Sequence, residues 1–208
     1  MKPKITALKA QKRNSRRTNV YLDGEFAFGL SNAVAAMLKI GQEISEEQVA
    51  ALEIKDRDET AYQQALKLLS YRPRSEKEVR TNLEKHCVDP IIVDNTIDRL
   101  KKSGLINDKN FARQWVENRI DFRPRSLKLL SLELRQKGIS AEIIEQSLIN
   151  IDEESLAYST GTKQAHKWTH LDRWEFKRKL GSHLSRRGFT YDLIESVLEK
   201  IWDENQPT

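Results

Sequence analysis

The chain has 208 residues, of which 38% are hydrophobic and 32% are charged, and its net charge is +5 with histidine neutral. Only 8 glycines and 5 prolines are present, which disfavours sandwiches and barrels and favours helices. A single cysteine, Cys87, excludes an internal disulfide and a cysteine-rich zinc site, and no stretch approaches the roughly 20 apolar residues that span a bilayer. We therefore expect a cytoplasmic, mainly helical protein without a membrane segment.

The strand signals lie near the N-terminus. ITALKAQ (5–11) alternates in part, and NVYLDGEFAFGL (19–30) holds two short strand-like runs around Asp23-Gly24, a dipeptide typical of a tight hairpin. A basic loop, QKRNSRR (11–17), lies between the strands. The pattern predicts a small β-hairpin at the start of the chain.

Short helices are predicted after the hairpin. The first begins at an N-cap at Ser31 and stops at Gly41. The second begins at Ser45, where Gln48 three residues later completes a capping box. DRDE at 56–59 is then predicted to begin another helix, so the hairpin and the two short helices form one N-terminal module.

From residue 56 onward the apolar spacing is helical and repeats. RPRS stands at 72–75 and again at 123–126, and LELRQKGISAEIIEQSL (132–148) aligns with SHLSRRGFTYDLIESVL (182–198). The offsets are 51 and 50 residues, so three units of about 50 residues result, each with three helices. The nine helices are predicted at 57–71, 75–86, 90–103, 108–121, 126–137, 140–151, 153–168, 173–187 and 190–203.

A three-helix unit of this size is marginal alone, and stacked units stabilise one another through shared interfaces. The sequence therefore predicts a mainly α fold, in which a tandem array of three three-helix repeats follows a small β-hairpin/helix module. We expect the array to be elongated. The predicted domains are residues 1–55, 56–106, 107–151 and 152–208.

Two residues of each RPRS stretch have a structural explanation. Pro73 disfavours a helical conformation at the residue before it, and Ser75 caps the next helix, with Glu78 completing a capping box. Ser126 has the same cap position in the second copy, but Leu129 stands where the acid of the box would be. Further caps and stops are predicted at Asp89-Pro90, Gly104, Gly138, Ser140, Gly188 and Thr190.

The arginines of RPRS are not needed for a cap, and a cation near a helix N-terminus is mildly unfavourable. Two arginines at one corner, present twice, indicate an anion site where guanidinium and backbone N–H groups meet a phosphate or carboxylate. Two solvated arginines are the alternative. Cations also concentrate in the third unit and in the N-terminal loop, while acids collect at 42–59 and 152–154. This segregation favours a polyanion as partner, with a solvated charged face as the alternative.

Residues with catalytic or ligand chemistry form no recognisable site in the sequence. Cys87 has only His86 beside it, so a structural thiol is expected. His166 and His170 are two ligands without a third, and STGTK (159–163) lacks the spacing of a phosphate-binding loop. We predict no enzyme activity, no cofactor and no metal site. Core packing or contacts between units are expected for Trp115, Trp168, Trp174 and Trp202.

The repeat layout carries a family resemblance. YRPRSEKEV, GLINDKNFARQWVENR, FRPRS, LELRQKGI and LSRRGF together resemble the bacterial RecX family of recombinase regulators, over roughly 57–203. The N-terminal hairpin module is similar to the extension of longer family members. The third unit keeps LSRRGF but lacks RPRS, so its anion contacts are expected to differ in detail.

The resemblance implies a non-enzymatic protein that binds the RecA recombinase filament on DNA and dampens ATP hydrolysis and strand exchange, in recombination, DNA repair and the SOS response. We expect a monomer that meets single- or double-stranded DNA as part of the filament. A direct DNA-binding protein built of helix-turn-helix-like units is the alternative. The predicted RecA or DNA contacts are Arg72, Arg74, Arg123, Arg125, Arg135, Lys137, Lys177, Arg178, Arg186 and Arg187.

Overall fold

The computed structural model describes residues 2–86 and 89–205, so the predicted structural thiol of Cys87 lies outside the described residues. The described residues form three strands and ten helices, in two compact units, Met1–Ile106 and Asn107–Thr208. The predicted fold class, mainly α behind a small N-terminal β module, is confirmed. Within the described part of the chain, every helix is too short or too polar to cross a membrane.

The N-terminal sheet has three antiparallel strands in chain order: β1 (Ile5–Ala10), β2 (Arg17–Leu22) and β3 (Glu25–Ser31). The predicted hairpin joins β2 and β3, and Asp23 and Gly24 both have positive φ, at 49° and 95°. Left-handed backbone at both turn positions matches the right-handed twist of the strands, which is why Asp-Gly is favoured there. The sheet buries one apolar face, whose central members are Ile5, Val20 and Leu30.

The helix predicted from Ser31 to Gly41 is wrong in its length. Helix α1 spans only Asn32–Ala35, and the Ser31 side chain makes no cap hydrogen bond. The chain leaves the helix because it pairs with the start of β1 instead. Gly41 N donates to Ile5 O at 2.7 Å, and Ile5 N donates to Gln42 O at 2.9 Å. The predicted break in the chain at Gly41 does occur, with a φ of 88°.

The two helices predicted on either side of residue 56 are one. Helix α2 runs without a break over Glu46–Leu69, and its capping box at Ser45 and Gln48 is confirmed. The prediction took the acids of 56–59 as a helix start, but Asp56 lies mid-helix and is buried. Its carboxylate accepts from Arg17 Nη2 at 2.8 Å and from Ser31 N, so it ties the helix to the sheet.

The remaining predicted helices are confirmed, with ends within three residues of the prediction. The first repeat continues α2 with α3 (Glu76–Glu84) and α4 (Pro90–Lys102). The second repeat contains α5 (Asp108–Phe122), α6 (Leu127–Gln136) and α7 (Ala141–Leu148). The third contains α8 (Glu153–Ala165), α9 (Arg173–Ser185) and α10 (Tyr191–Glu204).

Most predicted caps are confirmed. Ser75 forms the capping box with Glu78, and Asp89 caps α4 with Pro90 in its first turn. Thr190, like Ser31, is an exception: it has the extended backbone of an N-cap residue, but its hydroxyl makes no cap hydrogen bond. The remaining confirmed caps are Ser126 and Ser140, and the remaining positive-φ stops are Gly104, Gly138 and Gly188.

Each repeat has its own core, and the repeat alignment predicts which residues share it. Val79, Leu130 and Leu180 are equivalent in the alignment, and each is fully buried in the second helix of its repeat. Leu83, Leu134 and Leu184 are likewise fully buried one turn later. Within the C-terminal unit, Ile120 and Ile151 pack against the cores of both the second and the third repeat.

The expectation for the tryptophans is wrong at one position. Trp115 packs on the core of the second repeat, and Trp168 and Trp202 pack on the core of the third. Trp174 is instead 70% exposed, in the first turn of α9. Trp174 stands two residues before the fully buried Phe176, and residues two apart lie on different faces of a helix.

Candidate polyanion-binding surface

At the first RPRS corner, residues 72–75, the chain supplies an anion of its own. The guanidinium of Arg72 donates to both carboxylate oxygens of Glu78, at 3.1 and 2.9 Å. The same Glu78 accepts from Ser75 N in the capping box. A bidentate pair of this kind is geometrically specific, so Arg72 is held against the helix start. Arg74 is half-buried, and its Nε has no hydrogen-bond partner among the described residues.

At the second corner, residues 123–126, the acids come from further along the chain. Arg125 Nε lies 2.9 Å from Glu133 Oε1, although its N–H does not point along a hydrogen bond. Leu127 N, at the start of α6, donates to Glu153 Oε1 at 2.9 Å. Arg123 is exposed and ends α5. Internal carboxylates therefore meet both the helix start and one of the two arginines.

Glu133 is the centre of the second corner. Its Oε2 accepts from Trp115 Nε1 at 2.8 Å and from Arg119 Nε at 2.7 Å. The guanidinium of Arg119 also lies over the Trp115 ring, 4.3 Å from its centroid. Lys137 Nζ lies over the same ring at 5.1 Å. The indole thus helps to hold cations at this corner, since an aromatic face attracts positive charge.

The third repeat packs directly on the second corner. Ser126 N donates to Arg187 O at 2.9 Å, and Gly188 lies against Leu129 and Ser126. A Cβ built on Gly188 would stand 2.5 Å from Leu129 Cγ and 2.7 Å from Ser126 Oγ. The RPRS corner therefore has a structural role in joining two repeats, in addition to ending one helix and capping the next.

This packing brings together cations from two repeats, which we call the arginine cluster: Arg125, Arg186 and Arg187. Burial, then Arg125 and Arg186, lower the pKa of the half-buried Arg187. Arg187 Nε has no hydrogen-bond partner among the described residues, and Arg186 Nη1 donates to Ser182 Oγ at 2.8 Å. Cations that act on one another in this way favour an incoming anion, because guanidinium forks bind carboxylate and phosphate well.

His183 lies beside the arginine cluster and was missed by sequence reasoning. It is 8% exposed, and its Nε2 has no partner among the described residues. Burial, then Arg187, Arg186 and Lys167, lower its pKa to about 4. At neutral pH it is therefore uncharged. A signal was available: His183 stands four residues before Arg187, and this spacing places two residues on one helix face.

The other predicted contacts in the third repeat are partly engaged within the repeat. Lys177 donates to Glu199, and Arg173 Nη2 donates to the same carboxylate at 2.6 Å. These hydrogen bonds, with that of Lys177 the stronger, lower the pKa of Glu199. Arg178 lies over the Trp174 ring at 5.4 Å. In the second repeat Arg135 is exposed in the last turn of α6.

The structure therefore divides the ten predicted contacts. Three of them, Arg125, Arg186 and Arg187, come together where the second and third repeats meet. Arg123 and Arg135 are exposed on the second repeat. Arg72, Arg178 and Lys177 have acidic partners in the folded chain, as Arg125 of the first group also does. Lys137 lies over an aromatic ring, and Arg74 is half-buried at the first corner. The basic N-terminal loop contributes one structural residue, Arg17, whose partner is Asp56.

Four models of one family match the chain in order. They are described as the N-terminal domain of regulatory protein RecX and the first, second and third three-helix domains of RecX. The matched residues are 3–45, 61–100, 107–148 and 152–198.

Relatives and solved structures extend the match over nearly the whole chain. A protein of Lactobacillus gasseri named regulatory protein RecX is 33% identical, over 96% of this chain and 75% of its own. Its namesake in Bacillus subtilis is 31% identical, over 98% and 79%. A crystal structure of regulatory protein RecX has a TM-score of 0.73 at 27% identity, over 95% of this chain and 99% of its own. A second, from Lactobacillus salivarius, has a TM-score of 0.61 at 28% identity, over 71% and 97%. The chain therefore belongs to the RecX family of regulatory proteins.

Proposed function

We propose that this chain binds the filament that the RecA recombinase forms on DNA, and that it mainly inhibits the filament's ATPase and strand-exchange activities. It acts as a stoichiometric cytoplasmic regulator in recombination, DNA repair and the SOS response, and as a monomer without a cofactor. Membership of the RecX family supports this role, because the relatives carry the name of a regulatory protein. The observation that carries the choice of partner is the arginine cluster.

The arginine cluster supports an acidic partner because two of its members, Arg186 and Arg187, have no acidic partner among the described residues, whereas Arg125 is paired with Glu133. Arg187 is half-buried beside two other guanidinium groups, and its Nε has no hydrogen-bond partner in the described part of the chain. Burying a cation without a counter-charge is costly, so a carboxylate or phosphate from outside would be favoured there. We propose this cluster, with the exposed Arg123 and Arg135, as the main contact surface. Arg72, Arg74, Lys137, Lys177 and Arg178 are proposed as secondary contacts.

Weak contacts at several places add up in a modular chain. Each exposed ion pair contributes only about 0–1 kcal/mol. When modules are tethered, the second and third binding steps become intramolecular, which raises the overall affinity. We propose four modules, with boundaries near residues 55, 106 and 151. A chain that contacts adjacent recombinase subunits at once would oppose the movement between them that ATP turnover requires.

The direct test is the DNA-dependent ATPase of a cognate RecA, titrated with the full chain. We expect inhibition at stoichiometric levels. Replacing the exposed cations Arg123, Arg135 and Arg186 with glutamine should raise the half-inhibitory concentration about tenfold, since three weak ion pairs are lost. The matched control replaces three other exposed cations of the C-terminal unit, Lys109, Arg113 and Lys163, with glutamine. It removes the same charge and should change inhibition less than about twofold.

The outcomes separate the filament regulator from its alternative. No inhibition by the full chain at stoichiometric levels would overturn the proposal. Equal losses in the two triple variants would show that net charge matters and the proposed surface does not. Direct DNA binding predicts tight association with naked duplex, with a log–log salt slope of about −0.9 per phosphate contact. A filament regulator should instead bind recombinase-coated DNA far more tightly than naked DNA.

A further inference from the structure

The third repeat has an open groove between α9 and α10 with a volume of about 470 Å³. Its lining includes the core side chains Phe189, Ile194 and Leu198. Trp174 and Tyr191 also line it, and they are 70% and 74% exposed. Two large exposed aromatic rings beside one apolar groove are unusual on a monomer, since exposed aromatic surface marks binding sites.

The first repeat shows what fills the equivalent place. The repeat alignment pairs Arg80 of α3 with Gly181 of α9, and Asp94 of α4 with Glu195 of α10. In the first repeat, Arg80 Nη1 donates to Asp94 Oδ1 at 2.6 Å, so an arginine crosses from the second helix to the third. The third repeat has an acid, Glu195, at the position of Asp94, but it has Gly181 at the position of Arg80.

The glycine at 181 is not required by the backbone. It lies inside α9 with an ordinary helical φ, outside the set of positive-φ glycines. A Cβ there would meet Leu198 Cδ1 at 3.4 Å and Ile194 Cγ2 at 3.7 Å, which are ordinary van der Waals contacts. Glycine within a helix is unfavourable relative to alanine. The absence of a side chain at this position therefore keeps the groove open at a cost in helix stability.

Both cations of the groove lining have an acid beside them, whereas the one acid of the lining has no ion-pair partner in the described part of the chain. Lys177 is bonded to Glu199, and Arg178 lies over Trp174 with Glu175 at 3.8 Å. Glu195 lines the groove, is exposed, and has no ion-pair partner among the described residues. Glu195 is therefore the charged group of the lining that can pair with a cation from outside the chain.

We propose that this groove binds an arginine side chain presented by a basic segment of a partner protein. The guanidinium meets Glu195, in the way that Arg80 meets Asp94 in the first repeat. The apolar stem and the planar head lie against Trp174 and Tyr191. Arginine fits better than lysine, because its guanidinium stacks on aromatic rings and binds a carboxylate with two N–H groups. This surface borders the arginine cluster, because Arg186 donates to Ser182 of the groove lining, but its partner has the opposite charge.

The test uses the full chain with isotopic labelling and a blocked ten-residue peptide that carries one arginine between two leucines. NMR shifts of the Trp174 indole N–H and of the Tyr191 amide report binding. Matched peptides replace the arginine with citrulline, which has the same shape without the charge, or with lysine or glutamate. We expect a dissociation constant of about 1 mM for the arginine peptide and about tenfold weaker binding of the citrulline peptide.

Variants of the chain sharpen the test. Glu195→Gln should remove the preference for arginine over citrulline while leaving the amide spectrum folded. Gly181→Arg should fill the groove from within and abolish the shifts, and Gly181→Ala is its control. Equal binding of arginine and citrulline, no shifts at about 5 mM peptide, or tighter binding of the glutamate peptide would each overturn the proposal. Shifts of the same signals with a ten-nucleotide thymidine strand would assign the groove to nucleic acid and overturn it as well.

Discussion

The two RPRS corners have the same four residues and the same helix start, but their arginines are neutralised differently. At the first corner, Arg72 pairs with Glu78, six residues away on the helix that the corner begins. At the second corner, Leu129 replaces that acid, and carboxylates reach the corner from Glu133 and Glu153. The first corner is closed by local contacts, and the second depends on the rest of its unit.

The difference shows that the two copies of the motif share the helix break and the helix cap, but not the ion pairs of their arginines. Ser75 and Ser126 cap their helices in the same way. Without a local acid, the second corner is open to the third repeat, whose turn at Arg187 and Gly188 packs onto it. This packing places the positive charges of the arginine cluster where they repel one another, and the charge of Arg125 lowers the pKa of Arg187. An acidic partner would relieve this repulsion, which is why the cluster is the proposed contact surface.

The largest loss of stability is expected from adding a side chain at Gly188, where the third repeat packs on the second corner. In Gly188→Ala, a methyl group would be 2.5–2.7 Å from Leu129 and Ser126, at a φ of 84°. Left-handed backbone and overpacking each cost about 1–2 kcal/mol, so we expect the C-terminal unit to lose about 3 kcal/mol of unfolding free energy. All four tryptophans lie in that unit, and their fluorescence during urea unfolding measures its stability.

The control for this variant lies on the preceding helix. Gly181→Ala adds the same methyl group in helical backbone, where its contacts would be 3.4 and 3.7 Å. It should leave the unit unchanged or more stable by up to about 1 kcal/mol, because alanine favours the helix. If both alanine variants lost the same stability, the specific packing of Gly188 on the corner would not be the cause.

Local rules predicted the helices and their caps because the partners lie within a few residues of each other. The Ser75 box is complete in four consecutive residues, and the stop at Gly188 follows from one residue. The anion partners were not predictable in this way. Glu153 is 26 residues from Leu127, and Asp56 is 39 residues from Arg17. Since side chains so distant along the chain meet only through tertiary packing, periodicity and composition carry no signal for them.

The same limit explains the two errors in the N-terminal module. The acids of 56–59 have the composition of a helix start, but Asp56 is the internal partner of Arg17 within a longer helix. The residues before Gly41 have the composition of a helix. The helix ends early because Gly41 and Gln42 form backbone hydrogen bonds with Ile5 of β1. The internal repeat predicted the order of the modules, whereas the structure brings Arg125, Arg186 and Arg187 together and buries His183 beside them.

A loss of similar size in the same unit is expected from acid, through His183 of α9. The pKa of His183 is lowered to about 4 in the folded chain, against roughly 6.5 when unfolded. Between these values the unfolded chain binds a proton that the folded chain does not, so stability falls as the pH drops from 6.5 to 4. We expect His183 to contribute about 3 kcal/mol of this loss, at about 1.36 kcal/mol per pKa unit, with most of the loss complete by pH 4.

The contribution of His183 is isolated by comparison with His183→Leu, because carboxylates titrate in both proteins. The difference in unfolding free energy between the two proteins, followed by tryptophan fluorescence, should change by about 3 kcal/mol from pH 7 to pH 4. A constant difference over this range would show that His183 is protonated as easily in the folded chain as in the unfolded one.

The smallest effect compares the equivalent arginines of the two corners. Arg72→Gln removes an ion pair that is partly exposed, and such pairs contribute about 0.5 kcal/mol. Arg123→Gln removes an exposed side chain with no ion pair in the described part of the chain, so its stability should change by less than about 0.3 kcal/mol. Hydrogen exchange of the amides of α3 and α6 measures each corner separately. Faster exchange in α3 for Arg72→Gln, with α6 unchanged in Arg123→Gln, is expected because only the first corner uses its leading arginine to hold the helix start. An equal increase at both corners would mean that Arg123 is also structural, and the second corner would then be closed in the same way as the first.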